Sequence, residues 1–274
     1  MITDPPSGYS RRRWTACLGL NGFGKDLSLS GNNRDRMDER IRGEVSRLRE
    51  EALGYEYLIV EDLYKSLGNK CPKLVEIGCG SLGLLGRKGD RLAALQAHSV
   101  GIDVDLEGLA ANQHVTHRIC ATCYSLPLQS NSVDVIVTRW MFEHLEIPEQ
   151  ALREFSRVLK SGGFLYIKTP NLWNYVIMVS RMTPTAVHNF LRSATGGDNI
   201  PTFYRANTTT KLRELAAKSG FSVRRIESYS YSFMYYIFNK ELFHVMRFLS
   251  KLMGKVTKGT HLMLCCVLEK VQEA

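Results

Sequence analysis

The apolar run Lys73-Leu74-Val75-Glu76-Ile77 leads straight into Gly78-Cys79-Gly80-Ser81-Leu82-Gly83. Glycines at the carboxyl end of a buried strand let the backbone approach a ligand closely, because no Cβ stands in the way. The next apolar run closes on Asp103, 20 residues beyond Gly83. A carboxylate there can accept two hydrogen bonds from ribose hydroxyls, so loop and acid together satisfy the dinucleotide fingerprint. Glu76 points to a different ligand: an anion at the end of that strand repels a pyrophosphate and suits an ammonium or sulfonium group. About 70 residues also precede the loop, which nicotinamide enzymes usually place close to the N-terminus. Further along, His144 lies six residues past the expected strand end at Thr138. Its ordinary pKa of ~6.5 suits a general base that takes a hydroxyl proton near neutrality. A histidine that only packs on that loop is the competing reading; the adjacent Glu143 could orient it, but is expected to face water. Arg139 and Trp140 open the same loop and could border a cofactor.

The elements that must position these residues alternate in period. Short apolar runs occur at 73–77, 99–102, 118–121, 133–138 and 164–169, with helical patterns between them, the clearest at 149–160. Strands alternating with helices predict right-handed βαβ units and a parallel sheet buried on both faces. Downstream, 208–219 reads as a helix opened by Thr208 and stopped by Gly220, between strands at 221–227 and 262–269. Upstream, Met37, Ile41, Val45 and Leu48 recur every three or four residues among charges of both signs, predicting an amphipathic helix over 34–54. A second helix follows over 55–67. The chain therefore divides into a loose tail at 1–33, a helical extension at 34–70 and an α/β domain at 71–274 with insertions at 171–207 and 229–259.

Composition bounds the function. The 274 residues are 44% hydrophobic and 23% charged, enough to bury a sizeable core and inconsistent with wholesale disorder. No run approaches the ~18 apolar residues a spanning helix needs, and Asp4, Pro5 and Pro6 stand where a secretory signal would be apolar. The expectation is a cytoplasmic protein. Seven cysteines, odd in number and irregularly spaced, predict reduced thiols. Cys120 and Cys123 form a lone Cys-x-x-Cys with no second pair, so buried free thiols are expected and no metal. Cys265 and Cys266 are neighbours in a strand and must face opposite sides. The net charge of +9 is unevenly spread: residues 151–274 carry 18 Lys/Arg against 7 Asp/Glu. Such a basic half can steer an anionic substrate or membrane surface, or be a solvated face. No dense basic block or stacking motif points to nucleic acid.

A longer series follows the glycine loop: Leu126-Pro127-Leu128, the run 131–137, Glu143-His144-Leu145, Arg157-Val158-Leu159-Lys160-Ser161-Gly162-Gly163 and Thr169-Pro170-Asn171. In this order and approximate spacing the chain resembles the class I S-adenosylmethionine-dependent methyltransferases, near the ubiquinone-biosynthesis O-methyltransferases. The resemblance spans about 75–171, and more weakly 202–228. It implies a doubly wound, Rossmann-like sheet of seven strands, mostly parallel with an antiparallel last strand and helices on both faces. It also implies S-adenosyl-L-methionine as cofactor. By motif match Glu76, Gly78, Cys79 and Gly80 line its methionine end, Asp103 holds the ribose, Val104 flanks the adenine, and Thr122, Cys123 and Arg139 border it. Thr122 stands where the family often has an acid for the adenine amino group; a hydroxyl or backbone carbonyl can accept the same bond. If Asp103 only capped a helix it would be no ligand, but Asp105 fills that role better.

Methyl transfer then needs an acceptor held in line with the S–methyl bond, and proximity supplies most of the acceleration. Oxygen is the expected acceptor atom, with His144 its base and a lipid, prenylated ring or sugar the expected substrate. The pocket should come from 171–207 and 229–259, whose lengths exceed a usual connection of ~2 to 6 residues. In the second, Leu242, Val245, Met246, Leu249, Leu252 and Met253 share a helical face beside Arg247, Lys251, Lys255 and Lys258. That face could cover an apolar substrate or touch a membrane in plane, or it could simply pack on the sheet. A nicotinamide-dependent oxidoreductase and a non-catalytic cofactor-binding module are the alternatives to a methyltransferase.

Overall fold

The computed structural model describes residues 72–84, 99–174, 201–229 and 263–271, with Val245, Phe248, Leu252 and His261 besides. The expected tail 1–33, the helical extension 34–70, the first crossover helix after Gly83 and most of both insertions lie outside the described residues.

Seven strands form one sheet. They are β1 (Leu74–Ile77), β2 (Ser99–Asp103), β3 (His117–Cys120), β4 (Val133–Arg139), β5 (Leu159–Pro170), β6 (Phe221–Tyr229) and β7 (Met263–Lys270), in the order β3-β2-β1-β4-β5-β7-β6. The pairs from β3 to β5 are parallel, and β7 runs antiparallel between β5 and β6. The resemblance implied this mixed sheet. Chain order runs outward from β1 in one direction to β3 and resumes at β4 in the other. That reversal leaves a crevice at the carboxyl ends of β1 and β4, where open α/β sheets bind ligands.

Three described helices complete the frame: α1 (Leu106–Ala111), α2 (Pro148–Val158) and α3 (Thr209–Lys218). Asp105 caps α1 by accepting from the Glu107 amide, and Thr208 caps α3 by accepting from Lys211, as their positions in the sequence predict. Ala151, Leu152, Phe155 and Val158 recur at helical spacing along α2, and all are buried. With Leu212, Leu215 and Ala216 of α3 they cover one sheet face, built from Val75, Ile77, Ile136, Leu165, Ile167, Leu264 and Cys266.

One boundary differs from expectation. The helix predicted to reach Lys160 ends at Val158, because Leu159 is already extended at φ −67° and ψ 141°. The stretch Ser161-Gly162-Gly163 joins β5 instead of forming a turn before it. Gly163 permits this: a Cβ there would sit 3.0 Å from the Asp134 carbonyl and 2.8 Å from that of Lys160.

The opposite sheet face buries polar side chains among apolar ones. Register lines up Glu76, Val137 and Tyr166 in one row across the strands, and Arg139, Lys168 and Cys265 in another. Cys265 and Cys266 face opposite sides as expected: Cys266 joins the apolar core, while Cys265 lies 3.0 Å from the Tyr166 hydroxyl and 3.2 Å from that of Tyr229. Cys120 departs from expectation, being exposed at the end of edge strand β3, whereas Cys123 is buried in the loop beyond.

Candidate active site

The glycine loop is held by two side chains that bond the backbone on either side of Gly80. The Gly80 amide donates to Asp103 Oδ2 at 2.7 Å, and Asn112 Nδ2 donates to the Gly80 carbonyl at 2.8 Å. Asp103 Oδ1 accepts from the Asp105 amide at 2.9 Å, and the Gly78 amide reaches the Ile102 carbonyl at 2.8 Å. β2 and its following turn thus set the loop's position. Burial raises the Asp103 carboxyl to about 6, against the lowering effect of its amide donors, so it is largely ionised at neutral pH. Gly80 has φ +49°, and a Cβ built on it would meet nothing within 4 Å. Above the loop there is therefore open space at the carboxyl end of β1, bordered by an anionic acceptor. A nucleoside cofactor whose hydroxyls donate fits that acceptor.

Glu76 holds the far end of the loop. Its Oε1 accepts from the Leu84 amide at 2.6 Å and lies 3.5 Å from Arg139 Nε. Gly83, at φ +56°, is glycine because a Cβ there would overlap Glu76 Oε2. Both Glu76 and Arg139 are buried, a pair joining the ends of β1 and β4. Cys79 and Val104 are buried on the same margin, and burial, with the nearby Glu76 and Asp103 carboxylates, pushes the Cys79 thiol well up. It is a packing thiol and not a thiolate.

Thr122 and Cys123 follow β3, joined to the site where the Ala121 amide donates to the Asp103 carbonyl at 3.1 Å. Thr122 Oγ1 accepts from the Tyr124 amide at 3.3 Å, and burial pushes the Cys123 thiol up to about 12. The Leu-Pro-Leu turn beyond is gripped by α2. Glu154 accepts from the Leu126 amide at 2.6 Å, and Arg157 donates to the carbonyls of Leu126 at 3.0 Å and Leu128 at 2.9 Å.

On the β4 side the chain turns sharply. Trp140 is left-handed at φ 56°, an uncommon conformation for a bulky residue that concentrates at functional sites. Its amide donates to the Lys168 carbonyl at 2.9 Å, and Phe142–His144 form a 3-10 turn. His144 Nδ1 lies 2.7 Å from the Pro201 carbonyl. A carbonyl only accepts, so the proton is on Nδ1 and the neutral ring keeps its lone pair on Nε2. That nitrogen is 3.9 Å from Glu143 Oε1.

Glu143 does not face water as expected; it is buried, with Oε2 accepting from Thr169 Oγ1 at 3.1 Å. Thr169 Oγ1 in turn accepts from Asn207 Nδ2 at 2.6 Å. Burial raises the Glu143 carboxyl to about 8. The Glu143 carbonyl also accepts from the Phe203 amide at 2.7 Å and the Tyr204 amide at 3.2 Å. The segment 201–207 is therefore fastened across the end of β4, and it carries the carbonyl that fixes the His144 tautomer.

Of the expected residues, the structure gathers Glu76, Gly78, Cys79, Gly80, Asp103, Val104 and Arg139 around the loop, with Thr122 and Cys123 at the β3 margin and His144 on the β4 side. Sequence reasoning missed Asn112, Thr169, Asn207 and Lys168. Lys168 is wholly buried, its Nζ 5.6 Å from the Trp140 ring centroid and 5.8 Å from that of Tyr229, and burial lowers its ammonium to about 8. Nothing in the local sequence marks Asn112, since its partner is 32 residues away. A lysine within the apolar strand 164–169 was a visible signal.

Residues 75–167 match the family model described as a methyltransferase domain. The chain is 32% identical over 117 residues to a probable S-adenosylmethionine-dependent methyltransferase of Mycobacterium tuberculosis, a match covering 40% of each chain. It is 26% identical over 134 residues to a ubiquinone biosynthesis O-methyltransferase of Xanthomonas oryzae, covering 43% of this chain and 54% of that protein. The chain thus spans about two fifths to one half of the length of these curated relatives. Among solved structures, an S-adenosylmethionine-dependent methyltransferase from Mesorhizobium loti superposes with a TM-score of 0.53 at 15% identity, covering 78% of this chain and 97% of that one. That likeness bears on the fold.

Proposed function

We propose, from the premise that residues 75–167 form a class I S-adenosylmethionine-dependent methyltransferase domain, that the protein methylates a hydroxyl oxygen of a small, apolar acceptor. The observation that carries this reading is the pairing of the open cradle over Gly80 and Asp103 with a histidine whose Nε2 holds the lone pair. Bound S-adenosylmethionine supplies a methyl carbon made electrophilic by its positive sulfur. Gly78, Gly80 and Asp103 would hold that cofactor, near the Glu76–Arg139 pair.

His144 Nε2 takes the proton of the acceptor hydroxyl, and the imidazolium that results lies beside Glu143. A positive charge at that distance favours the ionised carboxylate, so the buried acid and the base support each other's charged forms. The acceptor class rests on Ile147, Trp173 and Phe203, large apolar side chains exposed on loops beyond β4 and β5. It is also consistent with the O-methyltransferase relative, whose pathway is ubiquinone biosynthesis. We take a lipid or prenylated ring before a sugar. The family match sets aside the nicotinamide reading of the glycine loop. No helix among the described residues is long and apolar enough to cross a membrane; we place the enzyme in the cytoplasm, touching a membrane peripherally through 229–259.

The test is incubation with methyl-labelled S-adenosylmethionine and cell extract, followed by separation into lipid, glycan, protein and RNA fractions. Label should enter the lipid fraction and vanish in His144→Ala. Label confined to protein or RNA would refute the acceptor class, and cofactor binding without transfer into any fraction would leave a non-catalytic binding module.

A further inference from the structure

Apolar exposure is concentrated at one edge of the sheet. Ile147 leads into α2 from β4, Trp173 follows β5, and Phe203 is bonded to the Glu143 carbonyl; these three are 51%, 57% and 38% exposed. All belong to loops at the carboxyl ends of β4 and β5. The chain leaves β6 and enters β7 at the same edge, because Tyr229 and Met263, which flank the insertion, are paired with each other, and Met263 pairs with Pro170. Asn171 Nδ2 donates to the His261 carbonyl at 2.9 Å, tying the chain just before β7 to the loop that bears Trp173. Within the insertion Val245, Phe248 and Leu252 are helical and exposed, Phe248 to 65%. Spacings of three and four put them on one helical face. Val245 and Leu252 are thus not buried against the sheet. Val271, by contrast, lies at the opposite edge beside Gly220, where no second exposed apolar cluster accompanies it among the described residues.

We propose that this edge docks on an anionic lipid bilayer, through Trp173 and Phe203 beside the site and the Val245-Phe248-Leu252 face of the insertion. The acceptor then enters from the membrane without crossing water. Docking itself stands on the exposed side chains; its purpose rests on the methyl-transfer reading. A bilayer suits the observations because a fluid apolar phase accepts side chains from separate loops without a shaped counterpart. The charge agrees: Arg247, Lys251, Lys255 and Lys258 recur in the sequence every three or four residues through the insertion. Basic residues near a bilayer surface are attracted by anionic headgroups within a Debye length.

The full chain is tested by flotation with vesicles of phosphatidylcholine, alone or mixed with phosphatidylglycerol. Binding should require phosphatidylglycerol, weaken with added salt, and fall at least about 100-fold in the double variant Phe248→Glu/Leu252→Glu, which puts two carboxylates where two apolar groups enter the bilayer. Brominated acyl chains should quench wild-type fluorescence more than that of Trp173→Phe. The proposal is overturned if neither vesicle binds, if the double variant binds like wild type, if the quenching does not depend on Trp173, or if the face is covered in a dimer that the double variant dissolves. Calorimetric titration with S-adenosylmethionine accompanies each variant. Lost vesicle binding with cofactor binding retained belongs to docking, whereas vesicle binding by a wild-type chain that takes up no cofactor would sink the reading of the site and leave the docking intact.

Discussion

Two glycines three residues apart should respond differently to the same substitution. In Gly83→Ala the new methyl overlaps Glu76 Oε2 and lies 3.0 Å from its Cδ and 3.2 Å from its Oε1. The carboxylate cannot yield cheaply, since it is buried and holds the Leu84 amide at 2.6 Å. Displacing it forfeits a charge-assisted hydrogen bond of about 1.5 to 3 kcal/mol. The left-handed backbone at φ +56° adds about 1 to 2 kcal/mol for any L side chain. The loss should therefore be about 2.5 to 5 kcal/mol, or roughly 5 to 20 °C in Tm for a domain of this size. Gly80→Ala carries the backbone cost alone, about 1 to 2 kcal/mol, because its Cβ meets nothing within 4 Å. Its methyl instead enters the space assigned to the cofactor, so affinity for S-adenosylmethionine should fall at least about tenfold. Thermal unfolding followed by circular dichroism, paired with calorimetric titration, separates the two effects. Equal losses of stability, or a Gly80→Ala variant that binds the cofactor like wild type, would refute this account of the loop.

Asp103→Ala removes the acceptor of the Gly80 amide together with the expected ribose contact, and should weaken S-adenosylmethionine binding by about 1.5 to 3 kcal/mol in the same titration. His144→Ala should lower the transfer rate by about 10²- to 10⁴-fold with cofactor affinity unchanged; an unaltered rate in the folded variant removes the histidine from the mechanism. Glu143→Gln should change how stability depends on pH. The folded carboxyl titrates at about 8, above the unfolded value of about 4.3, so across that window the folded chain keeps a proton the unfolded chain has lost. Wild-type stability contains a term that is favourable below the window and fades as pH rises to about 8. The glutamine variant lacks that term and should gain on wild type by up to about 4 kcal/mol between pH 5 and 8.5, measured by urea unfolding. Parallel curves would show that the carboxyl is not held protonated.

The parallel core was legible because each strand announces itself as a short apolar run and each helix as a change of period. The loop was legible because Gly78, Gly80 and Asp103 act through the backbone and one acid at set spacing. The end of α2 was less so: apolar periodicity continues through Leu159, and only the glycines at 162 and 163, drawn into β5, explain the earlier stop. Long-range polar contacts were not legible. Asn112 reaches Gly80 across 32 residues and Asn207 reaches Thr169 across 38, and no local pattern encodes such pairings. Glu143 misled for a related reason. A charged residue in a loop normally favours water, and only the return of 201–207 across it reveals the burial.

The claim at the centre of this account is that the cleft over Gly80 and Asp103 holds S-adenosylmethionine. Side-by-side calorimetric titrations of the full chain with S-adenosylmethionine and NADH test it most directly. Saturable binding of S-adenosylmethionine, weakened in Asp103→Ala, with no heat from NADH, is the predicted result. Binding of NADH by a chain that does not bind S-adenosylmethionine would contradict it.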